Sequence, residues 1–246
     1  MVSSLKDHPF AVEAFFDRSI VLTFAVPKAA LLHLIPECLS LDVFKDQWAF
    51  IAIAMVQTKN LRPKGFPKIL GNDFFLIGYR IFVRYRDRRG KNLRGLYIIK
   101  SETNKKKMEF FGNLFTHYNY TTTDIDIVQG TESTKITSQK SRFEITLSKS
   151  FDNVSLPQNS PFEEWAAARR FAGPLPFTFT FDPISKKVLI IEGVRQNWKP
   201  KPVNIYDYHF QFLDELKLEG IVLANAFVIE KIPYYWKKGR VEIWQA

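Results

Sequence analysis

The sequence predicts an α+β fold that is mainly antiparallel β, a closed or strongly curled sheet with a few flanking helices. Three observations predict it. Ten short runs rich in β-branched and aromatic residues recur along the 246 residues. Gly, Pro, Asn and Asp separate them, as turns separate strands. Helix-boundary residues frame only a few stretches. A flat sheet of that many strands is awkward, and closure removes its edges.

In chain order, "SIVLTFAV" (19–26) is the first run. "PKAALLHLIP" (27–36) follows as a helix, with Pro27 at a favoured first position and Pro36 as its stop. "WAFIAIAMV" (48–56) is the longest apolar run, about half of the ~20 residues that a spanning helix needs, so no membrane span is expected. The strands continue with "FFLIGYRIFVRYR" (74–86), "GLYIIK" (95–100), "THYNYTTTDIDIV" (116–128) and "RFEITLS" (142–148). Between the second and third of these, Lys105, Lys106 and Lys107 form the polar part of a short helix that turns Met108, Phe110 and Phe111 inward.

"GTESTKITSQKS" (130–141) reads as a polar hairpin connection. "SPFEEWAAARRFAGP" (160–174) reads as a helix with Ser160 as N-cap, Pro161 at the first position and Glu163 completing a capping box, stopped by Gly173 and Pro174. "PFTFTF" (176–181), "KVLIIEGV" (187–194), "YDYHFQFL" (206–213) and "VEIW" (241–244) complete the strands. No linker, repeat or low-complexity tract interrupts the chain, so residues 1–246 are expected to form a single domain.

With 46% hydrophobic residues and 23 Phe, the chain is too apolar to stay disordered. One cysteine, Cys38, excludes an internal disulfide and any multi-cysteine metal site. The first residues carry charges and no apolar run, so no secretory signal is expected and the protein is read as cytoplasmic. A net charge of +10 admits nucleic acid, another polyanion or an acidic small molecule as partner.

Alternation in "YRIFVRYRDRRG" puts Arg80, Arg84, Arg86 and Arg88 on one face and Tyr79, Ile81, Val83 and Tyr85 on the other. The odd residues are expected in the core and the arginines on a sheet surface running from Arg80 to Arg94, a possible polyanion site. Stacking aromatics, which single-stranded nucleic acid requires, lie mostly on the wrong face.

Familiar chemistry is absent. "GKNLRGLY" has the glycine spacing of a phosphate loop, but Leu96 and Tyr97 stand where Lys and Ser/Thr are required. There is no nucleophile elbow, no HExxH and no dinucleotide motif, and the four histidines are scattered, so no metal or cofactor is expected.

The order of four segments carries a resemblance: "HPFAVEAFFDRSIVLTFAVPKAALLHLIPECLSLD", "WAFIAIAMVQTKNLRPKGFP", "YRIFVRYR" and "GLYIIKSETNKKKMEFFGNLFTHYNY". Over residues 8–128 the chain resembles the YqjF-like uncharacterised family of the acetoacetate decarboxylase-like superfamily. "SPFEEWAAARRF" and "VRQNWKP" extend the likeness, with Arg195 and Asn197 where that family usually has His and Pro. The resemblance implies a conical closed β-barrel with flanking helices and an interior cavity for a small molecule. In acetoacetate decarboxylases a helical Glu precedes adjacent lysines, one of which forms a Schiff base. Aligning that Glu with Glu109 puts Phe115 and Thr116 at the lysine positions, so the resemblance implies a ligand site without the nucleophile.

The expected ligand-binding residues are Phe115, Thr116, His117, Arg195 and Trp198, the last two a cation and an aromatic wall suited to an acidic ligand. Alternation places His117 with Ile125 and Ile127 on a buried face of the run 116–128. His117 and Glu102 are the candidates for an acid/base pair, the alternative reading as an enzyme acting on a carbonyl substrate. The leading reading is a small-molecule binder whose ligand is apolar or carries a carboxylate.

Overall fold

A computed structural model of the chain describes residues 5–173 and 175–245. Pro174, the expected helix stop, lies outside the described residues. The first half comprises β1 (Val12–Pro27), α1 (Lys28–Leu31), β2 (Ser40–Leu41), β3 (Trp48–Pro63), β4 (Asn72–Arg86), β5 (Asn92–Thr103) and α2 (Lys106–Phe115). Short strands follow as β6 (Tyr120–Thr122), β7 (Asp126–Gln129), β8 (Ser133–Ser138) and β9 (Phe143–Ser148). The second half holds α3 (Trp165–Phe171), β10 (Phe177–Asp182), β11 (Lys187–Arg195), β12 (Lys201–Pro202), β13 (Ile205–Phe210), α4 (Gln211–Glu215), β14 (Val222–Trp236) and β15 (Arg240–Ile243). The fold is mostly β with few helices, as the sequence predicts, and among the described residues no helix is long and apolar enough to cross a membrane.

Among the described residues eleven strands share one sheet, ordered β12-β14-β1-β3-β4-β5-β10-β11-β15, with β2 on β4 and β6 on β5. Gly193–Arg195 of β11 also pair with Tyr234–Trp236 of β14. The pairings are antiparallel except β5 with β10 and with β6. A second sheet of four strands runs β13-β9-β8-β7.

The largest core lies between the two sheets. Ile77, Tyr79, Ile81 and Val83 of β4 belong to one buried cluster with Ile136, Ile145, Leu147 and Phe210 of the smaller sheet. The odd face of β4 is therefore core, as alternation requires. The even face departs from expectation: Phe82 is buried in a second cluster with Phe162 and Ala168, where α3 packs. Around Phe82 both faces of β4 are therefore covered; Arg80 and Arg84 are half-buried, with Arg80 Nε fully buried, and Arg86 at the strand end is exposed.

Three local expectations change. The run 116–128 is not one strand: Asn119 takes a left-handed φ of 51°, and the segment passes from Thr116, the C-cap of α2, through a turn to β6 and β7. Its buried residues are Tyr118, Tyr120 and Thr123, while Ile127, on an edge strand of the small sheet, is exposed. The helix expected over 160–173 begins only at Trp165, although the Ser160 hydroxyl accepts from the Phe162 amide at 3.2 Å while donating to the Ala224 carbonyl at 2.7 Å. Part of the expected polar connection 130–141 forms β8, with Thr134, Ile136 and Ser138 turned inward.

Candidate functional site

Eight strands, β1, β3, β4, β5, β6, β10, β11 and β14, each send side chains into one cavity of about 100 Å³. It occupies the face of the main sheet opposite the inter-sheet core. Leu96, Ile98 and Ser101 reach it from β5, whereas Glu102, the next residue, turns away toward Tyr79. Small residues make the room: Ser19 on β1 and Ala54 on β3 line the cavity beside the aromatic rings of Phe16, Tyr118, Tyr234 and Trp236.

Two arginines enter it. Arg80 from β4 folds over Gly78, where a β-carbon would lie 2.8 Å from Nε. Arg195 from the end of β11 stacks on Trp198, its Cζ 4.3 Å from the ring centroid, and lies 5.7 Å from that of Tyr234. Gly193 permits this arrangement, since any β-carbon there would collide with the Tyr234 hydroxyl.

The cavity is rich in donors without acceptors. Arg80 Nε, Arg195 Nη2, Trp198 Nε1 and the Tyr118 hydroxyl are buried and complete no hydrogen bond. Thr178 lies beside Tyr118, but not in hydrogen-bond geometry. Burial lowers the pKa of both arginines; for Arg195 the nearby Arg80 charge adds to that effect, while Tyr234 opposes it. Burial also pushes the Tyr118 phenol up and that of Tyr120 to about 12, so both hydroxyls stay protonated and able to donate.

An adjoining groove of about 370 Å³ shares the walls Leu76, Tyr118, Tyr120 and Trp236 with the cavity. Phe115 and Thr116 line this groove and not the inner cavity. Phe115 sits against Phe10 with ring centroids 5.2 Å apart, and the Thr116 hydroxyl donates to the Gly112 carbonyl at 2.7 Å.

Of the residues expected from the sequence, Arg195 and Trp198 meet in the cavity, and Phe115 and Thr116 lie next to it. His117 lines neither space; its Nε2 is 3.8 Å from Asp7 Oδ1, and burial lowers its pKa against the opposing pull of that carboxylate. Glu102 accepts hydrogen bonds from Ser141 at 2.6 Å and Tyr79 at 3.3 Å and pairs with Lys100 at 3.1 Å. Neither residue is a hydrogen-bond or ion-pair partner of the other, so the structure does not assemble the acid/base pair. Lys105, Lys106 and Lys107 are all exposed, and only Lys107 touches the groove.

Of the arginine row, Arg86 and Arg88 are exposed, while other members are engaged. Arg84 Nε and Arg94 Nε clasp the fully buried Asp42 carboxylate at 2.6 and 2.7 Å, and Arg94 Nη2 donates to the Phe171 carbonyl at 2.9 Å. Sequence reasoning missed Arg80, Tyr118 and Tyr234 as cavity residues. A usable signal was present: near-continuous apolar runs such as 48–56 mark strands covered on both faces, and an arginine among such strands points into an interior.

A family model described as an uncharacterized conserved protein family, DUF2071, matches residues 14–230. No curated protein matches the chain. Among solved structures, an acetoacetate decarboxylase from Legionella pneumophila superposes with a TM-score of 0.63 at 11% identity, covering 98% of this chain and 92% of that one. An acetoacetate decarboxylase-like enzyme from Sphingomonas wittichii RW1 gives 0.58 at 10% identity, covering 100% and 97%. The enduracididine biosynthesis enzyme MppR gives 0.55 at 8% identity, covering 98% and 90%. At these identities the likeness is one of fold, which is acetoacetate decarboxylase-like, and a shared fold carries no function by itself.

Proposed function

Because the chain belongs to the DUF2071 family of uncharacterized conserved proteins, we propose a function from its own site: it binds a small carboxylate-bearing molecule inside a barrel closed by the β11–β14 pairing. The observation that carries this reading is the pair Arg80 and Arg195, whose Nε and Nη2 respectively are buried at the cavity without a hydrogen-bond partner, and neither of which has a carboxylate partner among the described residues. An uncompensated buried cation is costly, and two in one cavity are more so; an anion that accepts from both relieves the cost. Guanidinium groups hold carboxylates through paired hydrogen bonds, and Trp198 Nε1 and the Tyr118 hydroxyl supply further donors.

The proposal includes one domain and excludes lysine Schiff-base chemistry. No lysine lines the inner cavity, and the three on and beside α2 are exposed to water rather than enclosed beside a second cation. A polyanion surface finds less support, since Arg84 and Arg94 are committed to Asp42 and Arg80 is internal.

Titration calorimetry with acetate, propanoate and 2-oxopropanoate tests the reading. Binding is expected in the native protein, at least about tenfold weaker in Arg195→Met, a loss of about 1.4 kcal/mol. If none of these acids binds, and the denatured protein releases no organic acid detectable by mass spectrometry, the proposal is wrong.

A further inference from the structure

The groove beside the cavity has an unusual mouth for a water-facing surface. Leu70, Phe111 and Phe10 line it while partly exposed, and Ile69, 91% exposed, and Phe110 stand next to them. These side chains come from three separate parts of the chain, the segment just before β1, the short 3-10 turn Lys68–Leu70 and helix α2. Large apolar groups concentrated at one opening mark a binding surface.

The groove's polar side chains do not call for a charged occupant. Arg62 is paired with Glu13 at 2.7 Å, His8 is buried, which lowers its pKa and leaves it neutral, and Lys107 is exposed to water. Charge is supplied deeper, beyond the shared walls Tyr118, Tyr120 and Trp236, where Arg80 and Arg195 lie.

We propose that the two spaces bind one amphipathic anion, an alkyl carboxylate whose head lies between Arg80 and Arg195 and whose chain runs past Tyr118 and Trp236 into the apolar groove. This rests on the carboxylate reading above and names the class of ligand. The inner cavity alone, about 100 Å³, holds little more than a head group, whereas the outer groove adds about 370 Å³ of largely apolar space. Each methylene placed there leaves water, which tightens binding by about fourfold.

The experiment is titration of the full chain with straight-chain carboxylates from acetate to dodecanoate, kept below their micelle-forming concentrations. Affinity is expected to climb with chain length and then level off once the groove is full. Phe111→Glu and, independently, Leu70→Asp alter partly exposed side chains and put a carboxylate in the chain's path. Both are expected to keep acetate binding and to flatten the chain-length dependence. Matching alkyl alcohols are expected to bind at least about tenfold more weakly than the acids.

Short acids that bind with no gain from added methylenes would overturn the amphipathic ligand and leave the carboxylate site standing. Alcohols binding as tightly as acids would overturn the coupling of head and chain. Failure of every acid, with no organic acid released by the denatured protein, would remove both proposals together.

Discussion

Arg80 lays its guanidinium across Gly78, so that a β-carbon on residue 78 would stand 2.8 Å from Nε and 3.0 Å from Nη2. The backbone of β4 therefore supplies the recess in which a buried cation rests. Replacing Gly78 by Ala leaves the strand intact but forces the guanidinium to shift, because the obstructing atoms are the far end of a flexible side chain. Carboxylate affinity is expected to fall at least about tenfold while stability changes by about 1 kcal/mol. Calorimetry and urea unfolding on the same sample separate the two effects.

Removing the cation has the opposite sign for stability. Arg80→Met replaces a desolvated charge with an apolar group of similar length, and ligand-free protein is expected to gain about 1 to 3 kcal/mol in urea unfolding. Ligand binding is lost in the same variant. A loss of stability would show that Arg80 is compensated within the cavity after all.

Asp42 presents the contrasting arrangement of fully buried carboxylate and half-exposed cations. It accepts from Arg84 and Arg94, and Arg94 in turn holds the C-terminal end of α3 through the Phe171 carbonyl. Asp42→Asn keeps the shape and removes the charge, so about 3 kcal/mol of stability is expected to disappear. Equal unfolding midpoints for the variant and the parent would contradict this account.

Asp124 makes stability fall in acid. The Ser138 hydroxyl donates to it at 2.7 Å and the Lys140 and Gln139 amides at 2.9 Å, and these bonds hold its pKa at about 2, below the ordinary 3.8. The folded form is the stronger acid, so the contribution is present above about pH 3.8 and is lost as pH falls toward 2. Unfolding midpoints measured across that window are expected to drop less steeply for Asp124→Asn than for the parent.

Much of the sheet was legible because its strands carry apolar residues on both faces, as 48–56 and 187–194 do. β14 escaped notice because Glu230, Lys231 and Pro233 interrupt its pattern, although Pro233 pairs with Phe15 where β1 and β14 run side by side. β8 escaped because its inward residues include Thr134 and Ser138, hydroxyls that look solvated in a one-dimensional pattern. Alternation placed Arg80 opposite Tyr79 correctly but was silent on whether that side met water, since the covering residues arrive from α3 and β14, far away in sequence. Arg195 and Trp198 came from family likeness, because no local pattern brings residue 195 to residue 80.

The pairing of Val12 with Trp236 also governs when the molecule can become itself. A ribosome delivers β1 early, and that strand waits with one edge unsatisfied while more than two hundred residues are polymerised. Contacts of such long range close slowly and leave the nascent edge open to other chains. Tyr234 and Trp236, on the strand that ends this wait, are also walls of the inner cavity. The cavity is therefore closed only when β14 arrives, and a chain halted before β14 has neither a finished sheet nor a complete cavity.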